Sequence, residues 1–502
     1  MRTLFTVVLA TALPLTIFAQ SDQDALRYSL LDFGGTARSL GSGNAYGALG
    51  GDFSSLSMNP AGLGIYRSSE FVITPGLLST SDASTYLGTS TGDSKYNFHL
   101  SNFGLVFAKL NPGKEHATDD WVGGAFAIGY NRLANFNNSV SYTGYNNTNS
   151  LMNTYVDYLN ANGGTNPSDA YDKDPFGAGL AWETYLINPT PWDSTEYYSV
   201  ITDGRVQQTK TIETKGAIDE MVLSFAGNYG NRLYIGLTIG IPNIHYKNIS
   251  YYSEEDVQNV HPDFNSFTLG DITETSGLGI NAKFGIIYRI NDFLRIGGAV
   301  HSPTLYQLHD DYYSSMSSVL DTTGSFSYDS PYGAYDYELV TPWRVVGSAA
   351  ITIKEIGMVS ADYEFVDYSE ASFNFNRTYD SGDFSYETTV NNTIGDKYGP
   401  VSNIRLGAEL KYDVFRFRGG YIMSRSPFNE GIAAGGSDYA KNTWTAGIGI
   451  KEKSYFIDLA YAHATSNEYD IQYVYDDGGG VNDGAAIDKV ANNFLVSFGF
   501  RF

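Results

Sequence analysis

The sequence predicts an all-β protein, a 14-stranded antiparallel transmembrane β-barrel preceded by a small N-terminal segment. Three observations support this fold class. The chain has 40 Tyr and 29 Phe but only 15 Pro, which favours strands. About fourteen segments alternate between apolar and polar residues with a period of two. The connections between these segments alternate between short and long, as they do in transmembrane barrels.

The last predicted strand shows the alternation best. One face carries seven residues: Val490, Asn492, Phe494, Val496, Phe498, Phe500 and Phe502. A terminal aromatic on such a strand resembles the assembly signal of bacterial outer-membrane barrels, so barrel assembly machinery is an expected partner. The other predicted strands are 68–79, 96–110, 121–143, 217–230, 231–252, 272–290, 292–307, 335–353, 355–376, 402–413, 414–424, 441–451 and 453–475, and the last is 489–502.

The predicted long connections include 80–95 and 308–334, and the largest covers about 144–216. In outer-membrane barrels the short turns face the periplasm and the long loops face outward. An even number of strands then places both the N- and C-termini in the periplasm. We therefore expect a multi-pass barrel in the bacterial outer membrane, surrounded by outer-membrane lipid and acting as a monomer.

The chain divides into three parts. Residues 1–20 resemble an export signal peptide, because Arg2 precedes an apolar stretch that is too short to span a membrane as a helix. Residues 21–67 lack the strand rhythm and form a small-residue segment, named the hatch here. Residues 68–502 form the predicted barrel.

Composition limits the chemistry. The chain has 31 basic and 55 acidic residues, which argues against nucleic acid as a partner. It has no cysteine, and its seven histidines show no metal-ligand spacing. We therefore expect no metal, no cofactor and no enzymatic activity.

The hatch contains two features that predict close backbone packing. Small residues recur through its first half, including Gly41, Gly43 and Gly47. Its second half contains Asn59-Pro60-Ala61-Gly62, in which proline fixes φ and asparagine can bind local backbone groups. As a bare tetrapeptide this is a turn.

The mature chain resembles the FadL/OmpP1/TodX outer-membrane transporters. The resemblance rests on the hatch run 37–47, on Gly51-Asp52, on 59–63, and on the stretches 302–304, 341–347 and 361–368. It implies a 14-stranded barrel that passively carries hydrophobic compounds, above all long-chain fatty acids. It further implies that the hatch plugs the barrel, that the outer loops capture the ligand, and that the hatch rearranges before lateral release beside a kinked third strand. In such a plug, Asn59-Pro60-Ala61-Gly62 is a candidate seat for gating, together with Gly41, Gly43 and Gly47.

The same reasoning gives three sets of candidate residues. Possible ligand capture falls to Leu151, Tyr155, Leu159 and Trp182, although these residues could equally pack the loop against itself. A possible wall kink falls to Gly123, Gly124 and Gly129, because glycine weakens strand pairing. Possible carboxylate partners are Arg405, Arg416 and Arg418, although a mutually paired, solvated interior would also explain them.

Two other functions fit parts of the sequence. A general porin for small polar solutes would share the barrel, but the N-terminal plug argues against it. A surface-binding protein, such as an adhesin or haem binder, could use the acidic, Tyr-rich loops, but it would leave the hatch without a function.

Overall fold

A computed structural model describes residues 21–353, 356–375, 383–432, 437, 439–475 and 484–502. The predicted export signal lies outside the described residues. Fourteen antiparallel strands, four of them interrupted, form one closed barrel, which confirms the predicted fold class. The strands are β1 (Glu70–Tyr86), β2 (Thr89–Leu110), β3 (Trp121–Asn135 and Asn138–Asn146), β4 (Val206–Tyr229), β5 (Leu233–Glu255), β6 (Ser266–Arg289), β7 (Leu294–His301 and Leu305–Leu320), β8 (Gly324–Asp329, Gly333–Val340 and Arg344–Ile353), β9 (Gly357–Asp367 and Ser372–Phe375), β10 (Pro400–Tyr412), β11 (Phe415–Ser424), β12 (Lys441–Lys451), β13 (Tyr455–Asp470) and β14 (Ala485–Arg501).

The barrel closes where β1 pairs with β14. The pairing is antiparallel and runs from Glu70 opposite Arg501 to Thr85 opposite Ala486. The aromatic face of β14 points outward, and the phenylalanines at 494, 498, 500 and 502 are exposed. Because closure leaves no unpaired edge and the outer face is apolar, this wall is suited to contact with lipid.

Several strands are longer than the sequence predicts. The predicted long connection at 80–95 is wrong, because β1 and β2 continue to a two-residue turn, Leu87-Gly88, with φ of 45° and 81°. The predicted connection at 308–334 is also wrong, because only residues 321–323 separate β7 from β8. These extensions carry polar residues on the outer face, so hydrophobic alternation cannot reveal them. The largest loop shortens to 147–205 for the same reason.

Helices occupy the hatch and two long loops. The hatch contains α1 (Asp22–Ser29), α2 (Ala37–Gly41), α3 (Ser55–Met58) and the 3₁₀ turn Pro60–Ile65. The largest loop contains α4 (Leu151–Asn160), α5 (Ala170–Lys173), α6 (Ala178–Glu183) and a small hairpin, Ile187–Pro189 with Tyr197–Ser199. Helix α7 (Asp383–Lys397) lies between β9 and β10. Among the described residues, none of these helices combines the length and hydropathy needed to cross a membrane.

The hatch fills the interior of the barrel, and nearly all of its residues from 36 to 66 are buried. Its first helix reaches the long-loop side, where Asp22 accepts hydrogen bonds from Lys397 Nζ and Tyr398 Oη at 3.1 and 2.8 Å. Phe502 lies at the short-turn side, where its N–H bonds to the carbonyl of Ser69. The even strand number predicts both ends of the chain on the short-turn side. In the structure, the first described residues lie on the opposite side.

Candidate functional site

The Asn59-Pro60 turn sits on glycines of the barrel wall. Gly236 and Gly285 face each other on β5 and β6. A Cβ on Gly285 would lie 1.9 Å from Asn59 Oδ1, and one on Gly236 would lie 2.3 Å from the carbonyl carbon of Pro60. On β7, a Cβ on Gly297 would lie 2.5 Å from the carbonyl oxygen of Gly47 in the hatch. Three adjacent strands therefore accept the turn only because they lack side chains there.

Hydrogen bonds fix this turn in its seat. Asn59 Nδ2 donates to the carbonyls of Gly47 and Ile286 at 2.6 and 3.2 Å, and Asn59 Oδ1 accepts from the N–H of Ala61 at 3.2 Å. Gly62 lies against the backbone of Gly50, where a Cβ would approach to 2.8 Å. The tetrapeptide thus connects the hatch to itself and to the wall.

The other predicted hatch glycines also touch the wall. A Cβ on Gly41 would lie 3.1 Å from Gly447 Cα on β12, and one on Gly43 would lie 2.4 Å from the carbonyl oxygen of Leu406 on β10. The N–H of Gly47 donates to an Asp362 carboxylate oxygen at 2.9 Å on β9. The hatch is therefore fitted to strands around most of the barrel's circumference.

The interior charges are engaged with one another. Glu364 binds both Arg344 and Arg405, at 3.2 and 2.9 Å, and all three side chains are buried. Arg418 binds Glu409 and Asp458 at 2.7 and 2.6 Å.

The predicted carboxylate partners therefore differ in position. Arg405 and Arg418 lie in the interior but already hold carboxylates of the protein. Arg416 lies at the short-turn side and donates to the carbonyls of Asp413 and Phe415, both at 2.7 Å. For Arg405 and Arg418 the structure shows the mutual pairing named as the alternative, in a buried and not a solvated interior. Each of the three arginines would have to exchange an existing partner before it could bind a cargo carboxylate.

The wall is interrupted beside β3. Strands β2 and β3 pair from Asn102 opposite Asn131 to Leu110 opposite Gly123. Beyond Asn131, the rest of β3 pairs with β4 alone among the described residues. Among the described residues, no backbone ladder joins residues 89–101 of β2 to the second segment of β3, and this part of the wall is called the gap.

Side chains bridge this gap. Asn135 Nδ2 donates to Asn97 Oδ1 at 3.0 Å, and Thr91 Oγ1 donates to a β3 carbonyl, that of Ser141, at 2.7 Å. Lys95 reaches across β3 to β4. Its Nζ donates to the carbonyl of Thr214 at 2.8 Å and lies 3.1 Å from a carboxylate oxygen of Glu213. Across this gap the wall is held by side chains and not by a strand ladder.

The predicted kink glycines lie away from this interruption. Gly123 stands at a register shift near the short-turn side, while Gly124 and Gly129 pair regularly with β4. Gly129 instead makes room for the hatch, because a Cβ there would lie 2.5 Å from Phe53 Cζ. The interruption falls at 136–137, inside the run Asn-Phe-Asn-Asn. That run of asparagines, which are depleted in strands, was the available signal.

The hatch covers the gap from inside. The N–H groups of Asp32 and Gly34 donate to the carbonyls of Leu133 and Arg132 on β3, at 2.7 and 3.1 Å. The hatch thus provides backbone donors to β3 where the ladder with β2 ends. Lys441 on β12 lowers the pKa of the Asp32 carboxyl, and this charge interaction also holds the segment.

The predicted capture residues form the core of the largest loop. Leu151, Tyr155 and Leu159 lie on one buried face of α4, and Trp182 packs edge-on against Tyr197 with ring centroids 5.7 Å apart. These side chains contribute to the loop's own packing, so access by cargo would require the loop to rearrange.

The described part of the chain shows no cluster of three or more His, Asp or Glu residues suited to a metal ion. No family model matches the sequence, and no curated protein matches it.

Solved structures do match the fold. The P. putida toluene transporter TodX aligns with a TM-score of 0.53 at 12% identity, over 94% of this chain and 99% of that chain. A Pseudomonas aeruginosa FadL homologue also gives 0.53, at 10% identity over 94% and 99% of the two chains. The Ralstonia pickettii toluene transporter TbuX gives 0.50, at 15% identity over 95% and 100%. At these identities the comparison establishes that the chain has the FadL/TodX-type barrel fold.

Proposed function

We propose that this protein is an outer-membrane channel for the passive uptake of hydrophobic small molecules, with release through the wall beside β3. The observation that carries the proposal is the side-chain-bridged gap between β2 and β3, which the hatch covers from inside. An apolar cargo that leaves sideways enters lipid directly. It avoids the cost of about 0.8 kcal/mol for each CH₂ group exposed to water.

The hatch is the proposed gate. Its turn at Asn59-Pro60 rests on wall glycines, and the segment around Asp32 pairs with β3 at the gap. A movement of the hatch away from β3 would join the interior to the gap. The loop cluster around α4 remains the proposed site of first capture after rearrangement, and the protein is proposed to act as a monomer.

Uncharged hydrophobic molecules suit this interior best. The predicted arginines already hold carboxylates or turn carbonyls, so a fatty-acid head group would have to displace one of these partners. The matched solved structures include toluene transporters, which supports an uncharged cargo. Long-chain fatty acids are the second candidate, supported by the sequence resemblance to the FadL group.

Uptake into cells tests the function. The chain is expressed in a Gram-negative host that lacks its own hydrophobe channel, and uptake of labelled toluene, oleate and a disaccharide is measured. We expect faster uptake of toluene or oleate and unchanged uptake of the sugar. Sugar uptake alone would favour the porin, and no uptake of any probe with tight haem or host-protein binding would favour the surface-binding function.

A disulfide across the gap tests the route. Asn97→Cys with Asn135→Cys should block uptake when oxidised and restore it when reduced, because the chain has no other cysteine. The matched control is Ser317→Cys with Ser327→Cys, which links two directly paired residues of β7 and β8. Equal uptake by the oxidised and reduced Asn97/Asn135 variant would contradict lateral release at this gap.

A further inference from the structure

Three aromatic rings meet just inside the wall gap. Tyr28 comes from α1 of the hatch, Phe136 from the interruption of β3, and Tyr246 from β5. The ring centroid of Tyr28 lies 6.1 Å from that of Phe136 and 6.1 Å from that of Tyr246, and the centroids of Phe136 and Tyr246 lie 5.3 Å apart. All three pairs meet edge to face, with interplanar angles of 71°, 75° and 84°. This is the arrangement that aromatic quadrupoles favour.

Two of the rings are fixed to the wall. The N–H of Phe136 bonds to the carbonyl of Gly216 on β4 at 2.9 Å, and Tyr246 stands within the β5 ladder opposite Gly216 and Thr275. Only Tyr28 belongs to the hatch. When the hatch moves, Phe136 and Tyr246 stay behind and one ring-sized position between them becomes free.

Tyr28 is an imperfect occupant of this position. Its ring is buried, and its hydroxyl lies close to the side chains of Thr275 and Arg27 without forming a well-aligned hydrogen bond to either. Burial raises the pKa of that hydroxyl well above its ordinary value, so the group stays neutral. The side chain borders a cavity of about 20 Å³, which it shares with Ser29, Leu133 and Tyr306.

We infer that the position of the Tyr28 ring is a binding site for an aromatic ring of the cargo, and that Phe136 and Tyr246 make the channel selective for aromatic over saturated hydrocarbons. The inference rests on the proposed function and specifies its cargo class. The rings of Phe136 and Tyr246 can each meet an incoming aromatic ring edge to face, as they now meet Tyr28. A saturated molecule of the same size gains the same apolar burial but no quadrupole interaction.

Toluene and methylcyclohexane provide the test, because both have seven carbons and differ in aromaticity. Binding of each to the purified full-length protein in lipid nanodiscs is measured by calorimetry. We expect the wild type to prefer toluene by about tenfold. Tyr28→Ala should strengthen toluene binding, because the internal occupant is gone.

Phe136→Leu and Tyr246→Leu should each reduce the preference for toluene severalfold while leaving methylcyclohexane binding within about twofold. The matched control is Phe373→Leu, a buried aromatic in the same core cluster that contacts Tyr337 and Phe375 instead. A heat-shifted gel band confirms that each variant has a folded barrel.

Equal affinity of the wild type for the two probes, or a preference that survives both Phe136→Leu and Tyr246→Leu, would overturn the inference. Cell uptake decides the proposed function separately. Uptake of hydrophobic probes without aromatic preference would leave the channel intact and remove only the ring site. Aromatic preference in binding without uptake of any hydrophobic probe would support the ring site and contradict the proposed channel function.

Discussion

The substitution Gly285→Ala is the sharpest test of the hatch seat. The new Cβ would lie 1.9 Å from Asn59 Oδ1, whereas ordinary contact begins at 3.4 Å, so the turn must retreat by about 1.5 Å. Overpacking of this kind costs about 1–3 kcal/mol, and loss of the bond from Asn59 to the Ile286 carbonyl costs about 1 kcal/mol more. The backbone itself accepts alanine, because φ at this position is not left-handed.

A loss of about 2–4 kcal/mol raises the population of the displaced hatch between about 30-fold and several hundred-fold. The absence of native cysteine allows this population to be read directly. Ser42→Cys places a thiol at a fully buried hatch position, and its labelling by a maleimide reports exposure. We expect Gly285→Ala to speed labelling at least tenfold and to change the rate of cargo uptake.

The matched control is Gly298→Ala, one position beyond the seat on the adjacent strand. A Cβ there would meet its nearest atom at 3.8 Å, so it should change neither labelling nor uptake. If Gly285→Ala labels and transports like Gly298→Ala, the glycine seat does not hold the hatch and the reasoning fails.

Three other substitutions test separate features. Lys95→Met should increase cargo uptake, because Lys95 holds Glu213 across the gap. Lys215 binds the same glutamate without crossing the gap, so Lys215→Met should leave uptake unchanged. Equal uptake by the two variants would contradict this role of Lys95. Arg418→Met should destabilise the barrel by about 3–5 kcal/mol in urea unfolding, because it leaves the buried Asp458 carboxylate without its arginine while Glu409 keeps Arg38, and Arg416→Met should cost less than about 0.5 kcal/mol. Asn59→Ala should alter uptake while the barrel still assembles, and normal uptake would reduce the turn to a linker.

The sequence predicted the barrel well because lipid imposes a simple rule on each strand. Where a strand crosses lipid, one face must be apolar, and Phe494, Phe498 and Phe500 show this directly. The rule fails where strands leave lipid. Ser81, Ala83 and Thr85 lie on the outer face of β1 in water, so nothing in their polarity separates a strand from a loop.

The site was predicted less completely than the fold. The small residues of the hatch indicated close packing, and the structure shows what they pack against. Glycine content predicts a possible kink at Gly123, Gly124 and Gly129, whereas β3 is interrupted at 136–137, where asparagines form side-chain bonds in place of ladder bonds. Pairing between charges such as Arg405 and Glu364 depends on which strands are adjacent. Alternation places both side chains inside but does not bring them together.

The path of the hatch constrains how the protein can assemble. The described part of the hatch begins beside α7 at the long-loop side, passes through the interior, and leads into β1 at the short-turn side. Once β1 has paired with β14, the seam is closed by a backbone ladder, and the wall gap beside β3 is bridged by side chains and bordered by the hatch itself. The hatch must therefore already lie within the curling sheet before the final seam forms, or be threaded in afterwards from the short-turn opening. In the first case the plug is a template around which the barrel closes.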